Sequence, residues 1–343
     1  MNSLSIGVIG PYKSGKTTLV NKLQQRKGAE EDVSFYSFKY GGKSITLIDT
    51  PGDTDAPTLI ASVISISDGI VLCVSPDVGI NFQVGELAIL ADTVGVKQGI
   101  VCITKSDIST ETDKEKLRTN LQALFKGTRL EKFEVMAVDI NNDTHIADIR
   151  AKLADFMYEE DKTKKPFKIL IDHAFESRGM SVAVGTLSDG KIAVHSSGML
   201  TPAPFTKEVS INSIQINQEE VPSADAGDRV GVAIKGVWPW DLPRGVELRQ
   251  DKSFRDVKSG KLRIRVNKLY RQPIRDGIRL SLVCNWQTPM ATLSNVKKES
   301  EEEYTADFEC DKNFCFDSTD RMVLVNKDLP IRVLRVVGSL EVL

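Results

Sequence analysis

The 343-residue sequence has few cysteines, few histidines and no long apolar run. Its five cysteines are an odd number without C-x-x-C spacing, which predicts reduced thiols that serve packing rather than a disulfide framework. No stretch reaches the roughly 18 apolar residues that a membrane helix needs, and no basic region precedes an apolar run at the N-terminus. These absences predict a cytoplasmic protein that is neither exported nor embedded in a membrane.

An excess of one charge is also missing. The 45 Lys and Arg residues nearly match the 47 Asp and Glu residues, so the formal net charge is −2. This balance argues against a protein that coats nucleic acid over its whole surface, although a local basic patch remains compatible with it. With 41% hydrophobic and 27% charged residues, the composition is that of a globular chain long enough for two or three domains.

Two kinds of pattern meet near residue 160. Before it, short apolar runs such as "LSIGVIG" and "GIVLCVS" alternate with helix-like segments, which include residues 16–27 and 146–160. Strands that alternate with helices imply a parallel sheet covered on both faces. After it come short alternating strands and turn residues, which are typical of β-barrels or sandwiches. We predict an α/β domain at 1–160 and two β domains at 166–250 and 254–343.

The first motif, G-x-x-x-x-G-K-[ST], lies between a predicted strand and a predicted helix. Its backbone N–H groups are expected to face phosphates, while Lys16 reaches the β and γ phosphates and Thr17 binds Mg²⁺. The predicted phosphate-binding residues are Gly10, Lys13, Ser14, Gly15, Lys16, Thr17 and Thr18.

Two further motifs follow apolar strands. In "LIDTPG", Asp49 is placed to hold Mg²⁺ and the Gly52 N–H to meet a γ-phosphate, although D-T-P-G alone is a common turn. In "ITKSD", the Asp107 carboxylate suits the N1–H and amine of guanine, and the stem of Lys105 would lie along the base. A plain polar turn is the alternative for this motif. An ATP-using kinase or ATPase is disfavoured by Asp107.

In this order, "GPYKSGKTT…DTPG…TKSD" resembles the G domain of the EF-Tu class of translational GTPases. "PFKILIDHAF" and the strands after it resemble the second domain of that class, more closely that of SelB, the selenocysteine-specific elongation factor, and "YRQPIRDGIRLSLVCNWQTPMATL" resembles its third domain. The resemblance implies a P-loop G domain followed by two antiparallel β-barrels. It also implies GTP or GDP with Mg²⁺ as ligands, a specialised aminoacyl-tRNA and the ribosome as partners, and a monomer.

The sequence departs from the family pattern at several positions. Asp53 stands where active members have the histidine that orients the attacking water, so hydrolysis is expected to be weak; Asp53 alternatively caps a helix near Pro57. No threonine occurs between Thr18 and Thr46, so most of the first switch is missing. Lys13 replaces the usual aspartate, an extra cation compatible with phosphate binding.

The guanine motifs are altered as well. Thr104 replaces the usual asparagine of the third motif. The last base-contacting motif falls on "MAV", where only Ala137 fits and supplies a backbone N–H. Recognition of the base is therefore expected to be weakened but retained.

By the same resemblance, Asp172, His173 and Phe175 of "DHAF" fall on the segment that lines the amino-acid pocket, although a surface histidine is an equal alternative for His173. In "KLRIRVNKLYRQPIRDGIR" the basic residues outnumber the acids, and we predict phosphate contacts from Arg263, Arg265 and Arg271. The alternative is a solvated strand face. Trp238 and Trp240 either pack a turn or stack on a base.

The sequence thus leaves two hypotheses. The first is a SelB-like elongation factor that binds guanine nucleotide, hydrolyses it slowly and delivers a specialised aminoacyl-tRNA to the ribosome. The second is a pseudo-GTPase, an interaction module that keeps the elongation-factor architecture. Under either one, no catalytic residue is identified.

Overall fold

The computed structural model describes residues 3–24, 26–27, 32–52, 56–157 and 162–343. They form an α/β domain followed by two antiparallel β-barrels, which confirms the predicted fold class. The limits predicted for the three domains stay predictions. Over the described ranges, no helix is both long and apolar enough to cross a membrane.

The α/β domain is built on one seven-stranded sheet with the order β2-β3-β4-β1-β5-β6-β7. Strands β4, β1, β5, β6 and β7 are parallel, and β3 pairs with β2 and β4 in the antiparallel sense. The strands are β1 Ser3–Ile9, β2 Arg26–Lys27, β3 Ser34–Tyr40, β4 Lys43–Asp49, β5 Gly69–Val74, β6 Gly99–Ile103 and β7 Glu134–Ala137.

Helices cover both faces of this sheet. They are α1 Lys16–Leu23, α2 Pro57–Ile66, α3 Phe82–Val94, α4 Glu111–Phe125 and α5 Asp143–Ala154. Apolar side chains of α1 and α5 share one core with one face of β1 and β4, and those of α2, α3 and α4 share another with β5 and β6. The sheet is therefore buried on both sides, as its continuous apolar strands require.

Two of these helices end earlier than the sequence predicts. We expected helices over 16–27 and 146–160, but α1 ends at Leu23 and α5 at Ala154. The guanidinium of Arg150 donates to the Leu23 carbonyl at 2.9 Å, and the Lys43 ammonium donates to the Phe156 carbonyl at 2.9 Å. Basic side chains from other elements thus satisfy the free carbonyls at both helix ends, so the chain turns there.

The first barrel is a ring of six strands in the order β11-β16-β8-β9-β15-β12, closed by the pairing of β11 with β12. Strand β13 adds to β12, and β10 pairs with β14. The strands are β8 Lys168–Ser177, β9 Met180–Asp189, β10 Lys191–Ala193, β11 Ser197–Thr201, β12 Lys207–Ile216, β13 Glu219–Val221, β14 Ser223–Asp225, β15 Arg229–Ile234 and β16 Glu247–Arg249.

The second barrel is closed, with the strand order β17-β20-β19-β18-β21-β22. Its strands are β17 Arg255–Val266, β18 Arg279–Cys284, β19 Met290–Lys298, β20 Glu303–Phe316, β21 Met322–Val325 and β22 Val336–Val342. Valines of β18, β21 and β22 extend the core under α2 and α3, so this barrel packs directly on the α/β domain.

Buried charges join the domains. Glu86 of α3 accepts hydrogen bonds from the backbone N–H and the guanidinium of Arg335, and both side chains are at most 7% exposed. Between the barrels, the Lys168 ammonium lies 2.9 Å from both Asp317 and Asp320. Burial alone would lower the pKa of Lys168. The surrounding carboxylates, of which Asp320 has the largest effect, outweigh burial, so the pKa is raised overall. These two domain contacts therefore include matched buried charges.

We predict that Glu86→Ala lowers the free energy of unfolding by about 3–5 kcal/mol, because it leaves the Arg335 guanidinium buried without its carboxylate. Urea denaturation followed by circular dichroism measures this change. The matched control is Glu134→Ala, which removes an exposed partner of Lys152 and should cost no more than about 1 kcal/mol. Equal losses for the two variants would show that the buried pair has no special weight.

Candidate functional site

The phosphate loop connects β1 to α1, as its motif requires. Gly15 is the N-cap of α1 in the left-handed region, with φ 81°. Gly10 packs against β5 so closely that an added Cβ would lie 2.3 Å from the Cys73 carbonyl oxygen. Neither position tolerates a side chain, because one needs a positive φ and the other has no space.

Lys16 points into this loop. Its ammonium donates hydrogen bonds to the carbonyls of Gly10 at 2.7 Å and Pro11 at 3.1 Å, and the residue is only 6% exposed. Burial lowers the pKa of Lys16, while Cys73 and Asp49 oppose that shift. A buried cation held by neutral carbonyls gains most from an anion placed beside the loop.

Thr17 and Asp49 form the next part of the site. The Thr17 hydroxyl donates to Asp49 Oδ2 at 2.8 Å. Among the described residues, Asp49 Oδ1 and the Ser14 hydroxyl are buried without a hydrogen-bond partner. Burial raises the pKa of Asp49, against the effects of Thr17 and Lys16. A hydroxyl beside an unsatisfied carboxylate oxygen is the donor set that Mg²⁺ prefers, so these residues fit the ion.

The remaining loop residues are exposed. Lys13 has a left-handed backbone with φ 62°, and its ammonium lies 5.5 Å from the centre of the Tyr12 ring. Thr18 lies on the first turn of α1. Both side chains are accessible to a ligand over the loop, and their predicted roles stay predictions.

Gly52 lies beside the same loop. A Cβ added to it would be 3.0 Å from the Lys16 ammonium, so the loop after β4 is close to the phosphate-binding lysine. The Gln83 side-chain amide donates to the Gly52 carbonyl at 3.1 Å. Sequence spacing does not identify Gln83, since no spacing rule relates α3 to this loop. Asp53 lies outside the described residues.

The third and fourth motifs follow the neighbouring strands β6 and β7. The Thr104 hydroxyl donates to the Ser14 carbonyl, and the Thr104 N–H donates to Val74 at 2.9 Å. Thr104 thus joins β6 to the phosphate loop. Ala137 ends β7 opposite Ile103, the last residue of β6.

The side chains expected around the base lie at this edge. Asp107 is exposed, and the Asn141 amide is 3.5 Å from its carboxylate. The Lys105 ammonium lies 2.6 Å from Asp77, and its hydrogen bond lowers the pKa of that carboxyl. Asn141 and Asp77 were missed from the sequence, where both read as ordinary loop residues. The predicted nucleotide residues are therefore gathered at the carboxyl ends of β1, β4, β6 and β7, where open α/β sheets bind ligands.

A second candidate site lies on β8 of the first barrel. Asp172 is 4% exposed and receives two hydrogen bonds from the Arg229 guanidinium, at 2.6 and 2.9 Å. His173 Nδ1 lies 2.7 Å from the same carboxylate, and its ring stacks at 6.3 Å on Phe175, which is 47% exposed. Although burial opposes it, Arg229 with His173 lowers the pKa of Asp172. Sequence spacing does not identify Arg229, which lies 57 residues after Asp172 in the chain.

The α/β domain reaches this second site through β3 and the residues before it. Phe35 lies against Arg229, whose guanidinium carbon is 3.4 Å from the ring centre. Asp32 receives two hydrogen bonds from Arg244, at 2.6 and 2.7 Å, and these hydrogen bonds lower the pKa of Asp32. Asp32 and Phe35 are thus bound to the barrel by two arginines, while residues 28–31, within the short connection before β3, lie outside the described residues.

The basic residues of the segment 261–279 have acidic neighbours on other strands. Along β17 the exposed charged residues are basic, but the facing strands supply acids. Lys261 is opposite Asp307, Arg265 is opposite Glu303, and Arg263 Nη1 lies 3.2 Å from Glu341. Because these acids come from β20 and β22, the sequence of β17 alone could not show them. Acids of neighbouring strands therefore lie beside these basic residues, and phosphate binding by Arg263 and Arg265, or by the exposed Arg271, stays a prediction.

A family model described as the elongation factor Tu GTP binding domain matches residues 24–187. The selenocysteine-specific elongation factor of Methanocaldococcus jannaschii is 26% identical over an alignment that covers all of this chain and 80% of that protein. An uncharacterized protein of the same organism is 24% identical, with 98% of this chain and 99% of that protein covered. Elongation factor 1-alpha of Pyrococcus horikoshii is 29% identical over 65% of this chain and 57% of that protein.

Solved structures agree with these relatives. Elongation factor SelB of Methanococcus maripaludis, in complex with the GTP analogue GPPNHP, superposes with a TM-score of 0.87 at 25% identity, covering 99% of this chain and 79% of that one. Its apo form gives a TM-score of 0.84. A bacterial selenocysteine-specific elongation factor, at 20% identity and a TM-score of 0.84, shows the shared fold. Together with the domain order and the gathered motifs, these similarities show that the chain resembles SelB and the EF-Tu class of translational GTPases in sequence and in fold.

Proposed function

We propose that this chain binds GTP and GDP with Mg²⁺ and delivers a specialised aminoacyl-tRNA to the ribosome. The observation that carries the nucleotide part is the Thr17–Asp49 pair, with its unsatisfied carboxylate oxygen, beside the buried Lys16. Thr17 and Asp49 would hold Mg²⁺, which would neutralise part of the charge of the phosphates. Lys16 would exchange its hydrogen bonds to loop carbonyls for stronger ones to phosphate.

Guanine selectivity would come from Asp107. Its exposed carboxylate stands after β6, at the same sheet edge as the phosphate loop. A carboxylate accepts from the N1–H and the amine of guanine, and adenine cannot supply this pair of donors because its N1 carries no hydrogen. Ala137 would add a backbone N–H.

Delivery of an acylated RNA end is supported by the Asp172 site. A buried carboxylate that is held by Arg229 and His173 orients both partners, and the side chain of His173 is 24% exposed. This arrangement presents polar groups of fixed direction, which suits a small polar acyl group rather than a large apolar one. The relatives named as selenocysteine-specific support a specialised cargo.

The second candidate function is a pseudo-GTPase. The observation that favours it is the bidentate contact between Asp32 and Arg244, which joins the residue just before β3 to the barrel. A switch reports the γ-phosphate by ordering and releasing a segment of the chain. Residues held by the barrel in this way would report it less well, which fits an interaction module that uses nucleotide only structurally or not at all.

We predict that Asp107→Asn weakens GDP binding by roughly 10- to 100-fold and favours xanthosine diphosphate, because the amide reverses one hydrogen bond to the base. Isothermal titration calorimetry with GDP, xanthosine diphosphate and ATP tests this. Asp148→Asn, on the exposed face of α5, is the control and should leave all affinities unchanged. No heat with any guanosine phosphate would exclude the proposed ligand.

We predict that Asp49→Asn abolishes the Mg²⁺-dependent part of GTP affinity and retains the part measured in EDTA. Because burial raises the pKa of Asp49, the wild-type Mg²⁺ dependence should fall as the pH is lowered, and should do so above the pH at which an ordinary aspartate is protonated. Calorimetry at a series of pH values measures this. A Mg²⁺ effect that survives the substitution would place the ion elsewhere.

We predict that the protein with saturating GTP prefers charged to uncharged tRNA, and that His173→Gln and Asp172→Asn each reduce this preference at least about fivefold, the effect of one lost hydrogen bond of about 1 kcal/mol. Gel shifts with tRNAs charged with different amino acids test this. Asp225→Asn changes an exposed ion pair on the same barrel and serves as the control. A wild-type protein without any preference would favour the pseudo-GTPase.

A further inference from the structure

The loop before β16 exposes two large aromatic side chains. Trp238 is 56% exposed and Trp240 is 68% exposed. Their rings stack on each other with centroids 4.9 Å apart and an interplanar angle of 9°. The two rings thus pack on each other across the turn while lying mainly in solvent, so both alternatives stay open. Exposing two adjacent indoles costs free energy that a role in binding would offset.

The loop holds these indoles in place. The backbone N–H of Trp238 donates to the Asp241 carboxylate at 2.9 Å, and the backbone N–H of Asp241 donates to the Trp238 carbonyl at 2.9 Å. On either side of the pair, Val237 and Leu242 are buried in the barrel core. Pro239 removes further backbone freedom between the two rings. A ligand would thus meet a surface whose conformation is already fixed, at little entropic cost.

The geometry of the pair selects the kind of ligand. Proline-rich peptides dock in grooves between aromatic rings that stand apart, and these two rings leave no groove because they are in contact. They offer instead the outer face of a parallel stack. A flat heteroaromatic ring continues such a stack, and nucleobases do so with little dependence on their sequence.

The charges around the loop are mixed. Lys207 donates to the Gly236 carbonyl, and Lys235 is exposed next to it. Glu208 is also exposed, and the Asp241 carboxylate is already bonded within the loop. A balanced surface does not attract a duplex through its phosphates, so binding here would rest on stacking and depend little on salt.

We propose that Trp238 and Trp240 form a stacking platform for an unpaired nucleobase of RNA. The platform lies outside the Asp172 site and needs neither GTP nor an acyl group. It borders that site, because the Ser181 hydroxyl of β9 donates to the Val237 carbonyl at 2.8 Å and Arg244 of the same loop approaches the Asp172 carbonyl at 3.4 Å. An RNA end held in the Asp172 site would have its flanking unpaired bases within reach of the platform.

Tryptophan fluorescence tests the proposal directly. The chain has three tryptophans, and the third, Trp286, is buried at 4% exposure. In the full chain carrying Trp286→Phe, all indole emission comes from the pair. We expect a short single-stranded oligoribonucleotide to quench this emission saturably, with a small dependence on salt. A blunt-ended duplex of the same sequence should not quench it.

Substitutions provide the second measurement. Anisotropy of a labelled single-stranded oligoribonucleotide should show that Trp238→Ala and Trp240→Ala each weaken binding by about 5- to 150-fold, the range that corresponds to one lost base–aromatic stack. Trp240→Phe should retain part of the affinity. Tyr40→Ala removes an exposed aromatic ring from the α/β domain and should change nothing. Circular dichroism verifies that each variant is folded.

Three outcomes would overturn the proposal: no quenching by single strands, equal quenching by the blunt duplex, or unchanged affinity in both tryptophan variants. Quenching by a proline-rich peptide but not by RNA would make the loop a protein-docking site instead. None of these measurements uses GTP or charged tRNA. They would therefore stand if the proposed tRNA delivery failed, and a negative result here would not contradict delivery.

Discussion

Two arginines of the first barrel organise the contact between the domains. Arg229 binds the Asp172 carboxylate and lies against the Phe35 ring, and Arg244 binds Asp32 and approaches the Asp172 carbonyl. Each guanidinium thus joins the α/β domain to the strand that carries the second candidate site. An arginine can bind a carboxylate through two donors and lie with its flat face against a ring at the same time. A lysine ammonium has neither the planar pair of donors nor the flat face.

Around this contact, buried side chains that pack against one another also join the domains. Val33, Phe35, Ile48, Leu170 and Trp286 form one cluster to which all three domains contribute. Trp286 also lies under Arg244, 5.4 Å from its guanidinium carbon. Together with the Glu86–Arg335 pair, these contacts favour one fixed arrangement of the domains, because any other arrangement would leave buried charges unpaired.

The sequence predicted what is local. Strand and helix types follow from apolar periodicity, and the nucleotide motifs from the spacing of Gly10, Lys16 and Asp49, because each depends on neighbouring residues. What it could not predict joins distant residues. Asp32 and Arg244 are separated by 212 positions, and Arg263 is matched by Glu341 on another strand. Helix ends were misplaced for the same reason, since Arg150 and Lys43 reach them from other elements.

The hairpin of β3 and β4 has a mechanical consequence. The two strands pair at every position, from Ser34 opposite Asp49 to Tyr40 opposite Lys43, across a turn of two glycines. Sliding by one residue would turn each side chain to the wrong face, so the hairpin moves as one piece or not at all. A shift of the backbone at Asp49 would therefore move Phe35 with it, and Phe35 lies against Arg229 of the first barrel.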